Sequence, residues 1–122
     1  MNIIIAGSRD IGISLREKNQ VFLILDKVFL NLNLNEPPVI FDGGCSGVDA
    51  CGKEYAKTKG WQVDTYKADW LNLGKAAGPL RNQQMVDKAD MLVVIRAKNS
   101  RGSKDVLARA KNKKIRFIDV VI

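Results

Sequence analysis

The sequence predicts an α/β fold in which helices cover both faces of a parallel β-sheet. Short runs rich in β-branched residues alternate along the chain with longer stretches whose apolar residues recur at helical spacing. Runs such as Ile3–Ala6 and Met91–Ile95 are apolar without interruption, which is typical of strands buried on both faces. Strands and helices that alternate in this way form parallel sheets with right-handed crossovers.

Five strands and four helices are expected in strict alternation. The strands are predicted at Ile3–Ala6, Val39–Phe41, Trp61–Tyr66, Met91–Ile95 and Ile115–Ile122. The helices are predicted from the capping box Ser14–Glu17 to Leu32, from near Ser46 to Gly60, from Pro79 onward, and over Ser103–Lys113. Residues 67–78 are predicted to be a long connection. This order favours a Rossmann-like three-layer sandwich with strand order 3-2-1-4-5 and a ligand crevice where the order reverses.

Length and composition predict a single globular domain over residues 1–122. The chain has 46% hydrophobic and 27% charged residues, a balance typical of folded rather than disordered proteins. Its apolar stretches are much shorter than the roughly 20 residues that span a bilayer. No basic segment precedes Ile3, so neither a signal peptide nor membrane association is expected, and we expect the protein in the cytoplasm.

The residue content excludes several kinds of chemistry. The chain has no histidine, which removes serine and cysteine mechanisms that need a histidine base, as well as histidine-based zinc sites. Two cysteines cannot complete a zinc site alone, and we expect both to be reduced thiols. No metal or cofactor is expected. The 20 Lys and Arg residues exceed the 13 Asp and Glu residues, giving a net charge of +7, which favours an anionic partner.

Glycine-rich turns follow the first, second and fourth predicted strands. They are Gly7–Arg9, Gly43–Gly47 and Ser100–Ser103. In the expected strand order all three lie at one sheet edge, where backbone amides and helix N-termini bind phosphate. Arg9 and Arg101 lie in these turns and are suited to bidentate contacts with an anion. Neither the dinucleotide pattern G-x-G-x-x-G nor a P-loop is present, which disfavours NAD, FAD and ATP hydrolysis.

Five motifs occur in an order that matches a known family. They are Ile5–Asp10, Gly43–Asp49, Ala68–Trp70, Gly74–Asn82 and Ser100–Ser103. On these residues the chain resembles the small single-domain members of the SLOG superfamily, which also contains the lonely-guy phosphoribohydrolases and the DNA-processing protein A domain. The resemblance covers nearly the whole chain.

The resemblance implies binding of a nucleotide or a nucleotide-derived molecule. The phosphate loop would consist of Gly43, Gly44, Ser46 and Gly47. Arg81 and Asn82 would reach the same crevice from the third helix. The lonely-guy enzymes place a glutamate after their second glycine loop, whereas Asp105 is the nearest carboxylate here. This difference favours binding without rapid chemistry over cleavage of an N-glycosidic bond.

The roles of several single residues stay open at this level. Asp49 is the candidate catalytic base, or it orients a ribose hydroxyl, or it forms a capping box with Ser46. Cys45 is an activated thiolate or simply a small loop residue. Trp70 stacks a base or anchors the long connection in the core. The expected ligand-binding residues are Gly7, Ser8, Arg9, Asp42, Gly43, Gly44, Cys45, Ser46, Gly47, Asp49, Lys75, Arg81, Asn82, Arg101, Gly102 and Ser103.

The predicted function is binding of a phosphorylated nucleotide derivative, of ADP-ribose type or cyclic, as a sensor, carrier or sequestering protein. One alternative is a hydrolase or transferase acting on an N-glycosidic or phosphoester bond. A second alternative is a nucleic-acid-binding module, because residues 96–116 contain nine Lys or Arg. Few aromatics accompany these cations, so at most weak nucleic-acid binding is expected. The apolar first helix, with Phe22, Leu23, Ile24, Leu25, Phe29 and Leu30, predicts a homodimer or a higher homo-oligomer.

Overall fold

A computed structural model describes residues 1–122 as a three-layer α/β sandwich. The strands are β1 (Asn2–Gly7), β2 (Val39–Asp42), β3 (Gln62–Thr65), β4 (Met91–Arg96) and β5 (Arg116–Val121). The helices are α1 (Leu15–Leu32), α2 (Val48–Thr58), α3 (Trp70–Leu73), α4 (Ala77–Lys88) and α5 (Arg101–Lys113). All neighbouring strands pair in parallel, in the order β3-β2-β1-β4-β5. The predicted fold class and strand order are confirmed.

Alternation along β1 divides the core into two halves. Ile3 and Ile5 face a cluster that contains residues of α1 and α2, and Ile4 faces a second cluster made by α4 and α5. All three isoleucines are fully buried, which explains why this strand is apolar at every position. The central strands β1 and β4 are therefore held rigidly between two helical layers, and their carboxyl ends are fixed relative to each other.

The first helix begins where the capping pattern predicts. Ser14 is the N-cap, and its hydroxyl oxygen accepts a hydrogen bond from the backbone N–H of Glu17 at 3.2 Å. The helix then buries Leu25 in the core but leaves Leu23 and Leu30 exposed to solvent. The apolar surface that α1 leaves open is thus narrower than its sequence suggests, because Phe22, Ile24 and Phe29 pack partly against the core.

Several element boundaries differ from the prediction, including both ends of α2 (Val48–Thr58) and of β3 (Gln62–Thr65), which are shorter than expected. The expected connection over residues 67–78 contains α3 and a 3-10 turn at Gly74–Ala76. α4 begins at Ala77 rather than Pro79. Proline is tolerated there because the first four amides of a helix have no intrahelical acceptor. Likewise, α5 begins at Arg101, two residues before Ser103.

No helix of the structure is both long enough and apolar enough to cross a membrane.

Candidate functional site

A cavity of about 260 Å³ opens beyond the carboxyl ends of β1 and β4. These are the strands between which the sheet order reverses, the usual position of ligand sites in open α/β sheets. The cavity is lined by Ala6, Gly7, Arg9, Asp10, Cys45, Asp49, Arg81, Asn82, Met85, Ser100, Arg101, Gly102, Ser103 and Val106.

The N-terminus of α5 forms one wall of this cavity. The backbone amides of Arg101, Gly102 and Ser103 donate to no acceptor within the protein. Ser100 is the N-cap, but its side chain caps no amide; its hydroxyl donates instead to the Ser103 hydroxyl at 2.9 Å. A 13-residue helix therefore presents uncapped amides and the positive end of its dipole to the cavity, which favours an anion.

Gly102 in this wall has no structural requirement for glycine. Of the ten glycines, it alone has neither a positive φ nor a neighbour within 4 Å of the position where a Cβ would lie. Glycine in a helix destabilises it relative to alanine by roughly 0.5–1 kcal/mol. The absence of a side chain leaves the helix backbone open to the cavity at this point.

The loop Gly43–Gly47 after β2, which we call the β2 loop, is arranged differently. The N–H of Gly43 donates to Asp49 Oδ2 at 2.9 Å, and the N–H of Gly44 donates to Asp42 Oδ1 at 2.8 Å. The following amide, of Val48, donates to the carbonyl of Ser8 at 3.1 Å. Within this loop only Cys45 lines the cavity.

Asp49 and Arg81 are buried side by side behind the β2 loop. Arg81 Nη1 donates to the carbonyl of Gly43, and Arg81 Nε donates to Asn82 Oδ1 at 2.9 Å. Burial raises the pKa of Asp49 from its ordinary value of 3.8 to about 6, although the Gly43 amide and the Arg81 charge oppose the rise. A carboxyl group with this pKa exchanges protons near neutral pH, and it lines the cavity.

Asn82 extends this arrangement to α5. Its amide nitrogen donates to Asp105 Oδ2 at 2.9 Å, and the same oxygen accepts from Arg109 Nε at 2.9 Å. Burial acts to raise the pKa of Asp105, but the hydrogen bonds from Arg109 and Asn82 leave it below its ordinary value. A continuous chain of hydrogen bonds therefore joins α5 to the β2 loop through Arg81 and Asn82, which both line the cavity.

Nine of the expected ligand-binding residues line the cavity. They are Gly7, Arg9, Cys45, Asp49, Arg81, Asn82, Arg101, Gly102 and Ser103. Five lining residues are not among the expected ligand-binding residues: Ala6, Asp10 and Ser100, which lie in the sequence motifs, and Met85 and Val106, which do not. Ser100 carried a usable signal, because serine directly before a helix is a typical N-cap.

The remaining expected residues are not part of the cavity lining. Asp42 is 1% exposed, and its second oxygen accepts from the Thr65 hydroxyl at 2.9 Å. The Ser8 hydroxyl oxygen accepts from the N–H of Ala97 at 2.9 Å. The Ser46 hydroxyl donates to the carbonyl of Arg9 at 3.1 Å. Lys75 is exposed in the 3-10 turn.

The capping-box alternative for Asp49 is wrong. The N-cap of α2 is Gly47, which has no side chain, and the Asp49 carboxylate accepts from Gly43 instead. Gly47 has φ +76°, and a Cβ there would lie 2.3 Å from the carbonyl oxygen of Ser8. Glycine at this position is therefore needed for the close contact between the turn after β1 and the β2 loop.

Several cations of residues 96–116 are paired within the protein. Arg96 bonds Asp119 at 2.8 Å, Arg109 bonds Asp105, and Lys113 lies 3.4 Å from Asp87. No group of three or more Cys, Asp or Glu is placed to hold a metal ion.

Comparisons with known proteins place the chain in a family. A family model described as YAcAr, the YspA, cpYpsA-related SLOG family, matches residues 1–72. No curated protein matches the chain. Among solved structures, the chain is similar to the crystal structure of a predicted subunit of tRNA methyltransferase from Methanocaldococcus jannaschii DSM, at 15% identity and a TM-score of 0.49. That alignment covers 100% of this chain and 68% of the other.

Proposed function

The chain belongs to the YspA, cpYpsA-related SLOG family, and we propose that it binds a phosphorylated, nucleotide-derived small molecule in the cavity beyond β1 and β4. It would act as a sensor, carrier or sequestering protein rather than as a rapid catalyst. The proposal rests on the α5 N-terminus, where three backbone amides without an acceptor lie in the cavity lining. Gly102 has no side chain to cover them.

Two arginines support an anionic ligand. Arg9 and Arg101 both line the cavity, both are exposed, and neither forms a salt bridge. Their guanidinium groups are therefore available for bidentate contacts with phosphate oxygens. Together with the α5 amides they supply the donors that a phosphate group needs.

The cavity lining also supplies acceptors. Asp49 and Asp10 both belong to it. Carboxylates close to a phosphate would repel it, whereas they accept hydrogen bonds from sugar hydroxyls. We therefore place the anionic part of the ligand at α5 and its sugar towards Asp49. The amides of the β2 loop at Gly43 and Gly44 already have acceptors, so they are less suited to the phosphate than those of α5.

Titration calorimetry with AMP and ADP-ribose tests this proposal. The Arg101→Ala variant should weaken binding about ten- to a hundredfold, because charge-assisted hydrogen bonds are worth roughly 1.5–3 kcal/mol. Lys104→Ala is the matched control, since it removes one exposed cation from the same helix outside the cavity lining. Equal loss in both variants would mean only general charge attraction, and unchanged binding in Arg101→Ala would place the ligand elsewhere.

A second candidate function is hydrolysis of the bound nucleotide at an N-glycosidic or phosphoester bond. The observation that favours it is Asp49, a buried carboxyl group in the cavity lining with its pKa raised to about 6. Such a group is suited to general acid–base catalysis. Chromatography of the ligand after incubation distinguishes the two functions: turnover that Asp49→Asn abolishes without loss of affinity supports the enzyme, and an unconverted ligand supports the binder.

We also propose that the chain forms a homodimer through α1. Leu23 and Leu30 lie one heptad apart and are 63% and 79% exposed. Exposed apolar side chains in a row favour self-association, for which a symmetric dimer is the commonest outcome. Light scattering at micromolar concentration should show a dimer that the double variant Leu23→Lys, Leu30→Lys converts to a monomer; a wild-type monomer would contradict this proposal.

A further inference from the structure

Trp70 lies at the surface although tryptophan is a typical core residue. It is the first residue of α3 and is 47% exposed. It belongs to neither hydrophobic core cluster. The indole instead packs on the start of α4, where a Cβ at Gly78 would lie 2.9 Å from its Cη2 atom. The ring is therefore fixed on the protein while about half of its surface faces solvent.

Arg9 connects this exposed ring to the cavity. Its guanidinium carbon lies 5.6 Å from the centre of the Trp70 ring, in cation–π geometry. The same Arg9 lines the cavity. The indole thus stands at the rim of the proposed phosphate site, next to one of the groups that would hold the anion.

We infer that Trp70 is the stacking platform for the planar base of the ligand, and this inference rests on the proposed function. An arginine attracted to a phosphate inside the cavity turns its charge away from the indole and leaves that ring face open. A nucleobase carried by the same ligand can then stack on the exposed face. An aromatic side chain can stack on any of the bases, and one such contact typically contributes about ten- to a hundredfold in affinity.

The inference predicts that the protein binds nucleotides more tightly than sugar phosphates. Phosphate and ribose contacts are common to AMP and ribose 5-phosphate, so the arginines and α5 hold both. Only AMP has a base to place on Trp70. Trp70 would therefore determine specificity for nucleotides over sugar phosphates without contributing to the anchoring of the phosphate.

The chain has two tryptophans, which makes a clean optical test possible. Trp61 contacts Phe29 at 4.9 Å between ring centres, in the layer of α1 and α2. The Trp61→Phe variant keeps an aromatic ring there and leaves Trp70 as the sole fluorescent indole. Titration of this variant with AMP, GMP, CMP and UMP should quench the fluorescence in a saturable way. Ribose 5-phosphate should give a smaller and different change, because it can only draw Arg9 away from the ring and has no base to stack on it.

Calorimetry on Trp70→Ala completes the test, with Trp61→Phe as the matched control. The variant should lose about ten- to a hundredfold in affinity for the nucleotide that binds best and keep its affinity for ribose 5-phosphate within about threefold. An equal loss for both ligands would show that Trp70 merely positions Arg9, which overturns the inference.

The remaining outcomes separate this inference from the proposed function. Equal binding of nucleotides and ribose 5-phosphate to wild type would reject the base platform and leave the phosphate site intact. No binding of any of these ligands would reject both. A change of oligomeric state in Trp70→Ala without a change in the ratio of affinities would assign Trp70, with its exposed neighbour Leu71, to a protein interface instead.

Discussion

The β2 loop and the N-terminus of α5 look alike in sequence and differ in what their backbone groups do. Both are glycine-containing turns that follow a buried strand and open a helix. In the β2 loop the amides of Gly43 and Gly44 donate to carboxylates of the protein itself. At α5 the first three amides have no partner. The difference teaches that a glycine-rich turn has backbone donors available for a ligand only where the fold does not already use them.

The glycines of the two regions differ in whether the fold requires glycine at their positions. Gly47 combines a positive φ with a backbone contact that excludes any Cβ. Gly43 is crowded by the Arg81 guanidinium and the Asp49 carboxylate. Gly102 is neither strained nor crowded. The fold therefore requires the first two glycines, whereas neither strain nor crowding requires the third.

Gly47→Ala should have the largest effect on stability. It tests whether the fold requires glycine in the β2 loop. Its Cβ would lie 2.3 Å from the Ser8 carbonyl oxygen and 2.5 Å from Arg9 backbone atoms, at a φ that alanine disfavours. Strain and overpacking together predict a loss of about 4 kcal/mol or more in the free energy of unfolding. Urea denaturation measures this loss, and a near-native midpoint would show that the contact between the two turns relaxes easily.

Arg81→Ala is expected to cause the next largest loss of stability, whereas Arg101→Ala should cause almost none. Arg81 is 7% exposed and bonds Gly43 and Asn82. Its removal leaves buried acceptors unpaired and should destabilise the protein by about 2–4 kcal/mol. Arg101 is exposed, so Arg101→Ala should change stability by less than about 0.5 kcal/mol while weakening ligand binding. Similar thermal midpoints for the two variants would remove the distinction between structural and ligand-binding arginines.

The Asp49 carboxyl group predicts a pH dependence of stability with an unusual sign. Its pKa is about 6 in the folded protein and 3.8 ordinarily, so the folded state holds the proton more tightly than the unfolded state. The stabilisation is complete below 3.8 and is lost as pH rises to about 6, by roughly 3 kcal/mol at most.

Asp49→Asn is the matched variant for this pH dependence. An amide oxygen can still accept from Gly43, and the side chain no longer titrates. The difference in unfolding free energy between variant and wild type should therefore change by roughly 2 kcal/mol from pH 4 to pH 6, with the wild type losing stability relative to the variant. Asp119 gives a pH dependence of stability with the opposite sign, because its hydrogen bond from Arg96 lowers its pKa. This contribution is the same in both proteins and cancels in the difference. A difference independent of pH would contradict the burial of the charge.

The sequence predicts the fold well because the signals for strands are local. Uninterrupted apolar runs and the Ser14 capping pattern locate β1, β4 and the start of α1 without any knowledge of contacts. The first residues of α4 and α5 are harder to predict, because proline and serine are each acceptable at several positions of the first turn of a helix.

The candidate site was only partly predictable for a different reason. The residue types of Arg81 and Arg101, or of Gly47 and Gly102, do not reveal whether a group is bonded within the protein. That depends on contacts between distant segments, such as Arg81 with the Gly43 carbonyl or Gly47 with Ser8. Asp42 illustrates the point: a carboxylate at the end of a strand suggests a sugar contact, but Gly44 and Thr65 occupy its oxygens.

Gly102→Ala should give the smallest effect on stability and the sharpest test of the comparison. The added Cβ meets nothing within 4 Å, and alanine favours the helix over glycine, so the free energy of unfolding should rise by about 0.5 kcal/mol. The same methyl group projects beside the free amides of α5, so it should obstruct an anion that approaches the backbone there. Stability and affinity for AMP should therefore change in opposite directions, whereas Lys104→Ala in the same helix should leave the affinity close to that of wild type. If Gly102→Ala binds AMP as tightly as wild type does, the ligand does not approach the α5 backbone, and Gly102 loses the functional reason that separates it from the glycines of the β2 loop.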